Sequence, residues 1–259
     1  MSRAAHRALF ISLINDAALF PPAGLPMGQA LRAHADHRRA RYADVVGPFL
    51  VSAPAVGDLT AAVADGAPAP SAIGLVARPG TAVADIDDSL ETLRALEWPR
   101  VVSLDTAWSP QWRNLDIGEL VVNLEIGREG QGEALDDIAS ASDFVDVRAT
   151  FRTGPTPDWS WPSAAELADV ILGSGRRHLP LTLTGGMHHV ARGQHLVDGN
   201  SQEQHGLLNV LVAVHASAGG ADGATVRDLL QIRDAAALAD IVAGWSSPDI
   251  AAVRAAFTG

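Results

Sequence analysis

The chain has 259 residues, 47% of them hydrophobic, and a formal charge of -11; that length suits one α/β domain with a well-buried core, and an acidic surface repels phosphate backbones, which argues against nucleic-acid binding. All nineteen basic residues are arginine and cysteine is absent, so a lysine Schiff base, a P-loop lysine, a thiolate nucleophile and a disulfide are excluded. The longest apolar runs fall short of the roughly 18–20 residues of a membrane span, and the run after Arg3, His6 and Arg7 is cut by Asn15 and Asp16 too early for a signal peptide; the expectation is a cytoplasmic protein without membrane contact.

Residues 8–16 fit a strand and a helix equally. Leu9, Ile11 and Leu13 alternate with their neighbours, yet Leu9 and Leu13 also share a helical spacing. Asn15-Asp16-Ala17-Ala18-Leu19-Phe20-Pro21-Pro22 then runs from polar residues into a rigid apolar turn. It makes Asp16 either a pocket carboxylate or a turn cap. A helical pattern spans 27–45, with His34, His37, Arg38, Arg39 and Arg41 read as cations near a helix C-terminus.

From there short Val-, Ile- and Leu-rich runs alternate with alanine-rich amphipathic segments. The strands are expected at 48–52, 72–78, 100–105, 119–126, 144–150 and 180–184. The helices are expected at 56–64, 82–96, 132–140 and 163–172. Ser163, three residues before Glu166 and just after Pro162, fits a capping box. Residues 206–218 read as a buried helix, and Ser247-Pro248 opens another.

Such alternation means a parallel sheet covered by helices. Six or seven units in this length favour a single-domain TIM-type β/α barrel over residues 1–259, incomplete or irregular at its ends. The rival is an open doubly wound parallel sheet, although no glycine-rich dinucleotide fingerprint follows the first strand.

Polar residues gather toward the strand ends, where a barrel holds its site. The run from Arg100 ends at Asp105. Asn123 and Glu125 share one face, as do Asp146, Arg148 and Thr150, followed by Arg152. Thr182 and Thr184 lead into Gly185-Gly186-Met187-His188-His189. Two readings stand side by side: an internal ion network, or a catalytic set. Paired glycines after a strand can turn N–H groups toward an anion. His195 and His205 follow, the latter near a helix N-terminus that favours neutral imidazole. Trp108 and Trp112, and Trp159 and Trp161, either wall an apolar pocket or meet another subunit in a homo-oligomer.

Asn15–Pro22, Arg152-Thr153-Gly154, Gly186-Met187-His188-His189 and His205-Gly206-Leu207-Leu208-Asn209 together resemble a group of uncharacterised bacterial proteins of β/α-barrel type. The group brings no function with it. Its members carry lysines near Thr150 and Thr182, where this chain has none, so a lysine-based activity would not carry over.

The residues therefore lead to a lyase or isomerase acting on a small anionic or partly apolar metabolite, a carboxylate or a phosphate. Glu125 or Asp16 would be the base and His188 or His205 its partner. Arg148, Arg152, Gly185, Gly186, Asp105 and Asn123 would bind the substrate. A second reading is a metal-dependent hydrolase, with His188, His189 and His205 beside Glu125 or Asp105 holding a divalent ion such as Zn or Mn. A third is a ligand-binding or scaffold protein on an enzyme fold.

Overall fold

The computed structural model describes residues 3–96, 98–157, 159–197 and 199–258. Seven strands follow one another in the sheet in chain order, β1 to β7. They are β1 (Ile14–Asp16), β2 (Val46–Ser52), β3 (Ala72–Val76), β4 (Arg100–Ala107), β5 (Val121–Ile126), β6 (Val147–Arg152) and β7 (Leu181–Thr184). Every pairing from β1 to β5, and that of β6 with β7, is parallel. The fold is thus α/β with a seven-stranded parallel sheet, and its strand order never reverses.

Close contacts divide the chain into two compact units. The first comprises residues 10–125 and 144–147; the second comprises 1–9, 126–143 and 148–258. In the first, α2 (Met27–His37), α3 (Val56–Ala64) and α4 (Val83–Arg94) separate the strands. Phe49, Val51, Ile73, Leu75, Leu104, Val122 and Leu124 are all fully buried. In parallel register Phe49 stands beside Ile73, Val51 beside Leu75, Leu75 beside Leu104, and Leu104 beside Val122, so these residues form one continuous apolar face. The helix expected over 27–45 ends at His37. A short 3₁₀ turn, Ala43–Val45, then feeds β2.

In the second unit α1 (Arg3–Ala8) precedes α5 (Gln131–Ala141), α6 (Ala164–Gly175) and α7 (Leu207–Ala218). α6 starts at the expected capping box of Ser163 and Glu166. α7 buries every residue from Asn209 to Val214, as its apolar sequence requires. Three elements were not legible as such: the antiparallel hairpin β8 (Gly193–Val197) and β9 (Asn200–Gln204), and the helices α8 (Gly223–Gln231) and α9 (Ala235–Ala243). α10 (Ser247–Ala256) is capped by Ser246, one residue before the expected Ser247. Beyond it Phe257 bridges Leu181, and the Thr258 amide donates to the Leu181 carbonyl at 3.1 Å.

The ambiguous 8–16 stretch ends as strand, since only Ile14–Asp16 pairs with β2. β6 starts three residues later than expected. Phe144, read as its beginning, is 85% exposed, because a single aromatic residue does not make a strand without a buried partner row.

Candidate functional site

In the first unit the face opposite the apolar one is mixed and carries the polar groups. Leu50, Gly74 and Ser103 lie in one row, Val76, Asp105 and Asn123 in the next, and Ala107 and Glu125 beyond them. Both carboxylates stand near the carboxyl ends of adjacent strands. The Asn123 amide nitrogen donates to Asp105 Oδ1 at 3.0 Å, and Ser103 Oγ reaches Asp105 Oδ2 at 3.5 Å. Since Nδ2 faces a carboxylate, Asn123 Oδ1 is fixed as the other end of the amide. That oxygen is buried without a partner among the described residues. A side chain at Gly74 would collide with Leu50 and with Ser103 Oγ, 2.7 Å from its Cβ position, so glycine is what lets that row close up. Glu125 is half-buried.

Asp16 sits apart from this row. Its register partner is Phe49 of the apolar face. Its Oδ2 lies 2.8 Å from His34 Nδ1, and its Oδ1 accepts from the Ala18 amide at 3.1 Å. The His34 ring meets Phe49 edge-on at 5.3 Å. Burial pushes the Asp16 carboxyl up, but the hydrogen bonds from His34 and Ala18 outweigh it and hold it below the ordinary aspartate range. His34 is therefore buried against Asp16 and does not lie at the surface with its basic neighbours. The signal for this is its spacing from the buried Ala30 and Leu31 on one side of α2.

In the second unit Thr150 pairs with Thr182 and Arg152 with Thr184, while Ala149 and Phe151 fill the buried alternate positions. Arg148 donates to Thr258 Oγ1 at 3.0 Å, and Thr182 Oγ1 lies 3.1 Å from the same hydroxyl. The Thr150 hydroxyl is buried and unpartnered among the described residues. Burial, and then Arg148 nearby, lowers the Arg254 pKa from its ordinary value. Past the strand ends, Thr153 donates to the Thr184 carbonyl through both its amide (2.8 Å) and its hydroxyl (3.1 Å), which draws residues 152–154 against Gly185 and Gly186.

The four histidines of this region go separate ways. His188 is exposed. The His189 and His195 rings stack at 3.3 Å and 5°. Burial, then the neighbouring His195 and His188, lowers the His189 pKa. His205 is buried, with Nε2 2.8 Å from the Pro162 carbonyl and Nδ1 3.0 Å from Arg192 Nη1. A carbonyl only accepts and a guanidinium only donates, so the proton is on Nε2 and the ring is neutral. Burial leads the causes that set its pKa below the ordinary value, with Arg192 adding to it against the Pro162 hydrogen bond. Both nitrogens are thus engaged. Among the described residues, no three His, Asp or Glu side chains are gathered to hold a metal ion, so His188, His189 and His205 do not form the expected ligand set.

The tryptophans divide too. Trp112 is buried in the first unit. In the second, Trp161 donates to Gln202 Oε1 at 2.6 Å, and Trp159, 40% exposed, lies under the Arg128 guanidinium. Among the described residues no helix is long and apolar enough to cross a membrane. Compared with protein-family models, curated proteins and solved structures, the chain matches none.

Proposed function

We propose that the chain is an enzyme on an incomplete β/α barrel, a lyase or isomerase that moves a proton on a small anionic metabolite. The observation that carries this reading is the presence of Asp105, Asn123 and Glu125 on one face, toward the carboxyl ends of adjacent parallel strands. Glu125 takes the proton, and Asp105, held by Asn123 and Ser103, binds a polar group of the substrate. Barrel enzymes place their chemistry at this end of the strands. The unreversed strand order supports the barrel over a doubly wound sheet, which needs a reversal to make its crevice.

A mixture of candidate substrates tests this. The protein is incubated in D2O with a set of hydroxy, keto and phosphorylated acids, and loss of C–H signals next to a carbonyl is followed by proton NMR. One or more signals wash out with the wild type, and Glu125→Gln slows the exchange by about 10²–10⁴-fold. Exchange by the wild type that Glu125→Gln leaves unchanged, or no exchange with any acid, counts against the reading.

A further inference from the structure

We propose that the hairpin of β8 and β9 is an acid-released flap, held closed while His189, His195 and His205 are neutral and freed as they take up protons. It lies between the carboxyl end of β7 and the start of α7, the loop position at which β/α folds carry functional loops and lids. Two histidine contacts hold it there. At its base the residues just outside the two strands meet: Arg192 donates from Nη1 to His205 Nδ1 at 3.0 Å, and from Nη2 to Glu203 at 2.6 Å. In its middle the His195 ring of β8 stacks on His189 at 3.3 Å and 5°. His189 is a fixed platform, since the Leu207 amide at the start of α7 donates to its carbonyl at 2.9 Å. Gln202, opposite His195 in the hairpin, accepts from Trp161 at 2.6 Å, so the closed hairpin also rests on the loop after β6.

Both contacts need uncharged imidazole. A proton on His205 Nδ1 removes the lone pair that Arg192 uses and sets two cations against each other. Protons on His189 and His195 turn a stack of neutral rings into two like charges in contact. The groups around them do not offset this. Glu203 of β9 and Glu166 of α6 favour a charged His205, but Glu203 already meets Arg192 and Arg233, and Glu166 meets Arg128. Burial comes first, and Arg192 adds to it against the Pro162 hydrogen bond, so the His205 pKa lies below its ordinary value. That of His189 lies below it too. Burial leads again, and the charges acting on it among the described residues, those of His195 and His188, share its sign. A histidine lowered in the closed state and ordinary in the open one favours opening as pH falls below about 6.5. His195 adds no restoring bond, its Nε2 being enclosed without a partner among the described residues.

Amide protection factors of the full chain, measured by hydrogen exchange at pH 7 and pH 5, test this. In Gly193–Val197 and Asn200–Gln204 they should fall by about tenfold or more, while those of β6 and β7 hold. The Trp161 indole N–H signal should move over the same pH range, as its bond to Gln202 is lost. The double variant His195→Phe, His205→Gln keeps a ring on His189 and keeps a donor and an acceptor at 205, but neither new side chain titrates. It should retain most of the hairpin's protection at pH 5. If it does not fold, His195→Phe decides, since it breaks no hydrogen bond among the described residues; it should cut the pH effect by about threefold or more. The proposal is overturned if the hairpin keeps its protection at pH 5, is unprotected already at pH 7, opens together with β6 and β7, or opens as readily in the variant as in the wild type. None of these readouts involves Glu125, so the flap and the proton-transfer chemistry succeed or fail separately.

Discussion

Asp16 shows how a single partner decides what a residue can do. As a carboxylate after an apolar run it suits a catalytic base. In the fold, both its oxygens are used, one by His34 and one by the Ala18 amide. Asp16→Asn keeps the shape and removes the charge, and should cost about 1–3 kcal/mol in urea denaturation, the range for a buried polar contact left imperfect. The pH dependence has a definite sign. The folded-state pKa is lowered, so the contribution of Asp16 is complete above the ordinary aspartate value of about 3.9 and is lost as pH falls from there through the folded value. Wild type minus Asp16→Asn stability should therefore shrink below about pH 4; a constant difference down to acid unfolding would refute the assignment. His205 behaves in the opposite charge sense but with the same slope. Its neutral form is the folded form, so stability falls as pH drops below about 6.5, where the unfolded chain takes a proton that the folded chain resists. His205→Phe leaves the Pro162 carbonyl without its donor, while Arg192 keeps Glu203; it should lose about 1–3 kcal/mol at pH 7 and should flatten the slope between pH 7 and 5. His189, also lowered, leaves a residual slope of the same sign.

At the scale of elements, the parallel strands and their helices were legible because periodicity and length carry that information. The hairpin was not. Residues 182–209 are rich in histidine and glycine, and their apolar residues are too few to mark two strands. The available signal was the Asp198-Gly199 pair, a two-residue turn signature with Leu196 and Val197 before it. Asp198 lies outside the described residues, but Val197 pairs with Asn200 and Gly199 has φ +79°, as such a turn requires of its second residue. Nor could sequence show what anchors the hairpin. Glu203 accepts from Arg192 at 2.6 Å and also pairs with Arg233. The Arg192 hydrogen bond, above all, keeps the Glu203 pKa below its usual value. The anchor joins residues eleven and thirty apart, a relation that periodicity cannot express. Glu203→Gln keeps the shape and loses both ion pairs. Amide hydrogen exchange in Gly193–Val197 and Asn200–Gln204 should quicken by about tenfold or more, while exchange in α6 stays as it was, since local opening follows local contacts. Equal acceleration in α6 would mean that Glu203 supports the whole unit instead.

For the molecule as a whole, the sheet's last edge is where fold and sequence were furthest apart. A parallel strand with a free edge invites pairing with another chain. β7 instead receives the final residues: Phe257 bridges Leu181, and the Thr258 amide donates to the Leu181 carbonyl. The same short segment sets Thr258 Oγ1 against both Arg148 and Thr182, so it covers the edge and also orders two polar residues on the strands beside it. Nothing in Ala256-Phe257-Thr258 announces this, because an extended pair of residues has no periodicity to detect. Phe257, only 3% exposed, makes the energetic claim testable. Phe257→Ala should destabilise by about 3–5 kcal/mol, the range for a large side chain removed from a packed interior. Thr258→Val keeps the backbone bond to Leu181 but strips the hydroxyl from Arg148 and Thr182, and should cost about 1–3 kcal/mol. If the segment covers the edge, Phe257→Ala should also raise concentration-dependent association in sedimentation velocity, whereas Thr258→Val should stay as dispersed as the wild type. Association that rises equally in both variants would trace the effect to lost stability, and the edge-covering role would have to be abandoned.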